Sequence, residues 1–146
     1  MAVPRSPAPL KTGPLQMAHV VDVVRETPSS VTVVFATATP LPYRPGQYVL
    51  VEFRFGSGRY RRAYSLCSIP ADDMAAFTVR LVPGGKVSQH ITTSLAIGDR
   101  FLVSAARGDF LLPDSRAGRR FVLVAGGSGI SPVMSLLRTL LAMPEP

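Results

Sequence analysis

Residues 47–68 read QYVLVEFRFGSGRYRRAYSLCS and contain two strand patterns joined by a glycine-rich turn. Along Gln47–Phe55, the side chains of Tyr48, Leu50 and Glu52 alternate with those of Val49, Val51 and Phe53. Gly56-Ser57-Gly58 then turns the chain back into Tyr60–Ser68. A period of two is the pattern of a β-strand with two unlike faces. The stretch therefore predicts a β-hairpin in an antiparallel domain.

Short runs rich in β-branched residues extend this pattern in both directions. They are His19–Val24, Val31–Thr37, Phe77–Val82 and Arg100–Ser104. Pro45-Gly46 fits the centre of a type II turn, because proline presets φ and glycine accepts a positive φ. One helix interrupts the strands over Val87–Leu95, where Val87, Ile91 and Leu95 share a face. Several short strands with one inserted helix are typical of an antiparallel barrel or sandwich.

The two ends of the chain differ from this β region. Residues 1–16 contain four prolines and no apolar periodicity, so we predict a flexible leader. Phe121–Ala125 is apolar throughout, as in parallel strands covered on both faces. A glycine loop follows at Gly126–Gly129, and an apolar helix is predicted over Pro132–Ala142 with Ser131 as its N-cap. Strand, glycine loop and helix together open a nucleotide-binding α/β unit.

Composition excludes several classes of protein. The net charge is +7, but the arginines are spread along the chain and no DNA-binding motif appears, so phosphate-rich cofactors and an acidic redox partner explain the charge better than nucleic acid. No apolar run approaches the roughly 18 residues of a membrane span, and no secretory signal is evident. The one cysteine, Cys67, cannot form an internal disulfide, and no metal-ligand spacing occurs. We expect a cytoplasmic protein without a metal site.

Three short motifs carry possible chemistry. Arg62-Ala63-Tyr64-Ser65 combines a phosphate-binding guanidinium, a flat ring and a hydroxyl on one strand. Gly84–Ser88 opens the predicted helix, whose free N–H groups attract an anion. Gly126–Pro132 is a glycine loop after an apolar strand. Taken singly, each also has a structural explanation, as an amphipathic strand or a loop that caps a helix.

In this order and at these separations, the motifs resemble those of the ferredoxin–NADP⁺ reductase superfamily. That family carries an R-x-Y-S strand, a G-G-x-x-S segment and a G-x-G-I-x-P loop, and here these are Arg62–Ser65, Gly84–Ser88 and Gly127–Pro132. Arg44–Tyr48 and Gly108-Asp109-Phe110 also match its framework. The resemblance covers about residues 17–142 and is greatest to reductase components of bacterial oxygenases, including the phenylacetate-pathway type, and to the reductase part of flavohaemoglobins.

The resemblance implies a mainly β fold: a six-stranded antiparallel Greek-key barrel with one inserted helix, followed by the first β-α unit of an α/β nucleotide-binding domain. The implied boundaries are a leader over 1–16, an FAD-binding barrel over 17–116 and the start of an NAD(P)-binding domain over 117–146. The implied activity passes electrons from NADH or NADPH through FAD, with FMN less favoured, to a ferredoxin, an oxygenase or a haem domain.

The resemblance also implies roles for individual residues. Arg62 would bind the flavin pyrophosphate, Tyr64 would lie along the isoalloxazine, and Ser65 would hydrogen-bond near N5, which makes Tyr64 and Ser65 the catalytic pair. The pyrophosphate would also contact the helix start, at Gly85, Lys86, Val87 and Ser88. The nicotinamide nucleotide would approach the glycine loop, at Gly127, Ser128 and Gly129.

The chain departs from the family pattern after its first nucleotide-binding helix. Later strands that would recognise adenosine are missing, and so is the iron–sulfur module of many oxygenase reductases. Either another chain supplies the rest or, as we expect, this is a truncated reductase. Two alternatives follow: a non-catalytic flavin-binding fragment without a productive nicotinamide site, or a basic interaction domain without a cofactor. His19 and His90 match no motif and are expected to have surface or packing roles.

Overall fold

Six β-strands and two α-helices make up a computed structural model that describes residues 13–115 and 118–142. The strands are β1 (Leu15–Thr27), β2 (Ser30–Thr37), β3 (Tyr48–Phe55), β4 (Gly58–Ser65), β5 (Ala75–Arg80) and β6 (Arg100–Ser104). Helix α1 (Lys86–Thr93) lies between β5 and β6, and α2 (Ile130–Ala142) follows a single 3₁₀ turn at Gly127–Gly129. The predicted mainly β class with one inserted helix is confirmed.

All six strands belong to one antiparallel sheet in the order β4-β3-β6-β1-β2-β5. The predicted hairpin is the β3–β4 pair, in which Phe55 lies opposite Gly58 and Tyr48 opposite Ser65. The two edge strands come together at an isolated bridge between Leu66 and Phe77. The sheet therefore curls into a barrel whose β4/β5 seam is not closed by a continuous ladder.

Aromatic side chains fill the centre of the barrel. The rings of Phe35, Phe53 and Phe77 each lie between 5.4 and 6.0 Å from that of Phe101, measured between centroids. Valines of the surrounding strands, such as Val33 and Val103, are fully buried. As predicted from their spacing, Val87, Ile91 and Leu95 are all buried and close one end of this core.

Strand boundaries differ from the sequence prediction where long-range pairing decides them. β1 begins at Leu15 rather than His19, because Leu15–His19 pairs with Arg100–Ser104 of β6. The strand therefore includes Leu15 and Gln16, which the prediction gave to a flexible leader; residues 1–12 of that leader lie outside the described residues. Helix α1 ends at Thr93 because the N–H groups of Ser94 and Leu95 both donate to the carbonyl of His90.

The predicted strand over Phe121–Ala125 is not observed. Within the described ranges this segment pairs with no other strand, and Val122 and Val124 are 88% and 85% exposed. An apolar sequence becomes a strand only when a neighbour satisfies its N–H and C=O groups, so the pattern alone was insufficient. The N-cap assignment of Ser131 is also wrong: the 3₁₀ turn runs directly into α2, which places buried Ser131 inside the first helical turn.

The predicted type II turn at Pro45-Gly46 is confirmed and fixes the approach to β3. Gly46 has φ +95°, and the N–H of Gln47 donates to the carbonyl of Arg44 at 3.1 Å. A Cβ at Gly46 would lie 1.8 Å from the carbonyl oxygen of Phe110. Only glycine satisfies both the dihedral angle and this close contact between loops.

Replacing Gly46 with alanine should therefore lower the free energy of unfolding by more than about 2 kcal/mol. Gly56→Ala is the matched control, because Gly56 also has a positive φ (+56°) but nothing lies within 4 Å of the point that a Cβ would occupy there. The control should lose only about 1 kcal/mol. Urea unfolding measures both, and equal losses would contradict the importance of the Phe110 contact.

Candidate functional site

Arg62 and Tyr64 lie on the same face of edge strand β4. In the β3–β4 register they stand opposite Val51 and Val49, which belong to the hydrophobic core, and Tyr64 packs against that core, so their face is the one that points into the barrel. Arg62 is nevertheless exposed, since β4 borders the open seam. Its Nη1 donates to the carbonyl of Arg61 at 2.6 Å, and no carboxylate of the described residues forms an ion pair with it. The rest of the guanidinium fork is therefore available to an anion.

The Tyr64 ring lies flat against a β5 side chain at the β4/β5 seam. It stacks on Phe77 of β5 with a centroid distance of 5.0 Å and an interplanar angle of 7°. Burial raises the pKa of Tyr64 to about 12, although the nearby Arg62 charge lowers it. The phenol is thus neutral over the physiological range and presents a rigid, partly accessible aromatic surface.

Ser65 is the last residue of β4 and stands opposite Tyr48. Strand alternation places its side chain on the face opposite to that of Arg62 and Tyr64. The residue is half-buried, and its hydroxyl makes no hydrogen bond to any other part of the described chain. The structure therefore brings Arg62 and Tyr64 together, and leaves Ser65 at the strand end with its hydrogen-bonding capacity unused.

The start of α1 supplies a second polar element. Gly85 is its N-cap and no side chain caps the first turn, so the N–H groups of Lys86, Val87 and Ser88 receive no side-chain partner there. The side chain of Val87 is buried in the core. The Ser88 hydroxyl accepts from the N–H of Val82 at 3.1 Å and donates to the carbonyl of Gly85 at 3.0 Å. The Ser88 side chain thus stabilises the loop, and only the backbone N–H of Ser88 is available to bind an anion.

Tyr60 connects this helix start to β4, a contact that the sequence did not reveal. The Nζ of Lys86 donates to the Tyr60 hydroxyl at 3.0 Å and lies 5.1 Å from the centre of its ring. Tyr60 precedes Arg62 by two residues, so the two share a face of β4. The contact draws the cations of Lys86 and Arg62 to the same side of the strand. The two-residue spacing was visible in the sequence, but the pairing with Lys86 depends on the fold.

A cleft of about 400 Å³ continues from Lys86 along α1 and is lined also by Phe55, Gln89, His90, Thr93 and Ser94. His90 packs edge-on against Phe55 and Phe53, with ring centroids 4.9 and 5.2 Å away. Its role is therefore in packing, as expected. His19 is exposed on β1.

The glycine loop lies at the beginning of α2. Gly127 has φ +56°, and the N–H of Gly129 donates to the carbonyl of Gly126 at 3.1 Å. Helix α2 is attached to the chain just beyond β4, because Ser135 Oγ donates to the carbonyl of Ser68 at 2.6 Å. The loop directly precedes this attached helix, and no hydrogen bond joins it to Arg62 or Tyr64 in the described structure.

Neither a membrane-spanning helix nor a metal centre is found in residues 13–115 and 118–142. No helix there is long and apolar enough to cross a membrane. No group of three His, Cys, Asp or Glu side chains in that part of the chain is placed to hold a metal ion.

Comparison with known proteins gives consistent matches. Residues 17–111 match the model of the oxidoreductase FAD-binding domain. The chain is 35% identical to NADH oxidoreductase HCR of Escherichia coli over 141 residues, which is 96% of this chain and 41% of the relative. It is 30% identical to a component of the 1,2-phenylacetyl-CoA epoxidase of E. coli over 127 residues, covering 84% of this chain and 36% of that relative.

A solved structure shares the fold. A cytochrome P450 reductase from Amycolatopsis superposes with a TM-score of 0.77 at 37% identity, covering 90% of this chain and 40% of that one. The chain therefore spans about two fifths of the length of these relatives. The sequence resemblance to reductases of the phenylacetate-pathway type is confirmed.

The raised pKa of Tyr64 predicts a late step in an alkaline titration. After a rapid pH jump, phenolate absorbance should show a component with a midpoint of about 12 that Tyr64→Phe removes. Tyr43, whose pKa burial also raises to about 12, provides the control, since Tyr43→Phe should remove a component of similar size. An unchanged late amplitude in Tyr64→Phe would show that the ring is not buried at the seam.

The same shift fixes the sign of a stability effect. The folded protein holds the Tyr64 proton more tightly than the unfolded chain, whose tyrosine pKa is about 10. The associated stability is complete below about pH 10 and is lost as the pH rises towards about 12.

Proposed function

The chain belongs to the oxidoreductase FAD-binding domain family, and on that premise we propose that it binds FAD along the β4/β5 seam and passes electrons from NADH or NADPH to an iron–sulfur or haem acceptor. The observation that carries the proposal is the junction of Arg62, Tyr64 and the uncapped start of α1. It offers a flat aromatic surface beside a concentration of positive charge, as a planar ring joined to a pyrophosphate requires.

The charged half of the site would hold the pyrophosphate. Arg62 contributes a guanidinium free of carboxylates within the described residues, and Lys86 is drawn towards it by Tyr60. The N–H groups at the start of α1 add the positive end of a helix dipole. Charge-assisted hydrogen bonds from arginine are strong and directional, so Arg62 is the residue expected to contribute most to binding.

The remaining motif residues would orient the flavin ring. Tyr64, held flat by Phe77, supplies a rigid surface for stacking. Ser65 ends β4 on the face opposite to Tyr64, so its free hydroxyl would have to meet the flavin beyond the strand end, where it would donate or accept a hydrogen bond near N5. The flavin itself, when bound, would supply the capacity to accept a hydride and to pass on single electrons. The protein would position the flavin and tune its electrostatics.

The nicotinamide nucleotide would approach the loop of Gly127, Ser128 and Gly129, in a segment that we assign to a second domain beginning near residue 117. Backbone exposed by glycine allows close approach of a pyrophosphate. For the acceptor, we propose a protein partner with an acidic surface, in keeping with the net charge of +7. Similarity to a cytochrome P450 reductase favours a haem or oxygenase partner.

A second candidate function is a flavin-binding module without a productive nicotinamide site. This candidate is favoured by the segment Phe121–Ala125, which is exposed and pairs with no strand of the described residues. The glycine loop that follows it therefore has less surrounding structure than the proposed flavin site. Steady-state NADH oxidation per bound flavin separates the two candidates. Turnover supports the reductase, and stoichiometric flavin without turnover supports the module.

Replacing Arg62 with alanine should weaken FAD binding about tenfold or more, because a charge-assisted phosphate contact is lost. Arg59→Ala is the matched control: it removes the same charge from the same strand, but Arg59 stands opposite Arg54 on the other face. FAD titrations followed by flavin fluorescence should show a change of about twofold or less for the control. If FAD binding weakened equally in both variants, Arg62 would contribute only through the net charge of the protein.

The bound flavin should be FAD and not FMN, because the start of α1 and Lys86 together suit a second phosphate. The purified protein would be denatured with acid and the released cofactor separated by chromatography. FAD as the main species is the expected result. Recovery of FMN alone would show that the start of α1 has another role.

A further inference from the structure

The loop that follows β4 holds an anchor for helix α2. Ser68 is buried, and its Oγ accepts hydrogen bonds from the Tyr43 hydroxyl at 2.8 Å and from the N–H of Ala76 at 2.9 Å. Its carbonyl accepts from Ser135 Oγ at 2.6 Å, and the Ser135 side chain is fully buried. Ser68 is thus fixed by the barrel on one side and bonded to α2 on the other.

A second anchor lies four residues further on. The carboxylate of Asp72 accepts from the N–H of Ile69 at 3.0 Å, which orients it within its own turn. Both of its oxygens then accept from the Arg138 guanidinium, at 2.7 and 2.8 Å. This bidentate contact constrains the orientation of both groups, which a single hydrogen bond does not.

The two anchors act on one face of α2. Ser135 and Arg138 are three residues apart, so they lie side by side on the helix surface. Two contacts on one face fix how far the helix is rotated and how far it slides along the barrel. The ion pair is partly exposed, with 43% and 29% of the two side chains accessible, and its net contribution to stability is small. The ion pair therefore affects the placement of α2 more than the stability of the fold.

The anchors connect the two halves of the proposed reaction. Ser65 is three residues before Ser68, at most about 10 Å along the chain. Gly129 is six residues before Ser135, about 9 Å along a helix. We propose that the Asp72–Arg138 pair, together with the Ser68–Ser135 hydrogen bond, is a positioning clamp that sets the nicotinamide-binding loop against the flavin-facing end of β4. This inference rests on the proposed function, since it assigns the clamp to hydride transfer.

Hydride transfer demands such a device, because the reacting atoms must approach to about 3–3.5 Å and a misplacement of about 1 Å costs about a hundredfold in rate. The bidentate contact with Asp72 requires arginine, since lysine carries a single compact charge and makes no planar bidentate contact. Arg138→Lys therefore keeps the charge and loses the orientation, whereas Arg138→Gln loses both. Neither residue of the pair touches the proposed flavin site, so flavin affinity should be unaffected.

The test compares wild type, Arg138→Lys and Arg138→Gln as full chains loaded with FAD. Arg44→Lys is the matched control, because Arg44 pairs with exposed Asp114 through one contact at 2.9 Å and is not part of α2. Stopped-flow reduction by NADH gives the limiting rate, fluorescence titration gives FAD affinity, and hydrogen exchange reports the order of α2. We expect the limiting rate to fall about tenfold in Arg138→Gln, by less in Arg138→Lys and not in the control, with FAD affinity within about twofold throughout.

Three outcomes would overturn the clamp. Unchanged reduction and unchanged α2 exchange would show that the pair positions nothing. Faster α2 exchange with an unchanged reduction rate would make the pair purely structural. A lower rate that follows weaker FAD binding would place the effect in the flavin site. By contrast, failure of NADH to reduce the wild-type protein would refute the proposed nicotinamide reaction itself, and α2 exchange would still decide whether the pair holds the helix.

Discussion

The antiparallel bridge between Leu66 and Phe77 joins the two edges of the sheet and leaves the rest of the β4/β5 seam without a continuous ladder. An edge strand keeps backbone groups and side chains accessible that a closed barrel would hide. Because β4 is that edge, Arg62 reaches solvent from the inward face of the strand, and Tyr64 can lie flat on Phe77 across the seam. The incomplete closure therefore creates the candidate site.

Strand alternation also sorts the charges of β4. Arg61 faces away from the seam and donates to Glu52 at 2.5 Å, and this hydrogen bond lowers the pKa of the buried carboxyl against the opposing effect of burial. Arg54 approaches the same carboxylate at 3.5 Å. Arg62, one residue along, has no carboxylate partner within the described chain. Arg61 and Arg54 thus neutralise a buried acid, while Arg62 is left for a ligand.

Much of this organisation could be predicted from local patterns. The β3–β4 hairpin, the Pro45-Gly46 turn and the buried face of α1 each depend on a few neighbouring residues, and the sequence contained all of them. Other features depend on partners far along the chain. Phe121–Ala125 lacks a paired strand within the described ranges, the Ser88 hydroxyl is already used by Val82 and Gly85, and the Asp72–Arg138 pair joins residues 66 positions apart. No periodicity encodes such contacts.

The proposed flavin site lies where β4 meets the start of α1. Hydrogen exchange of the protein with and without FAD tests it directly, since each backbone N–H near the ligand should exchange more slowly when covered. Protection is predicted over residues 62–66 and 84–88. The alternative location is the cleft of about 560 Å³ between the diverging ends of β3 and β6, lined by Phe53, Phe55, Arg100 and Phe101 among others. Protection confined to residues 52–55 and 99–102 would contradict the assignment.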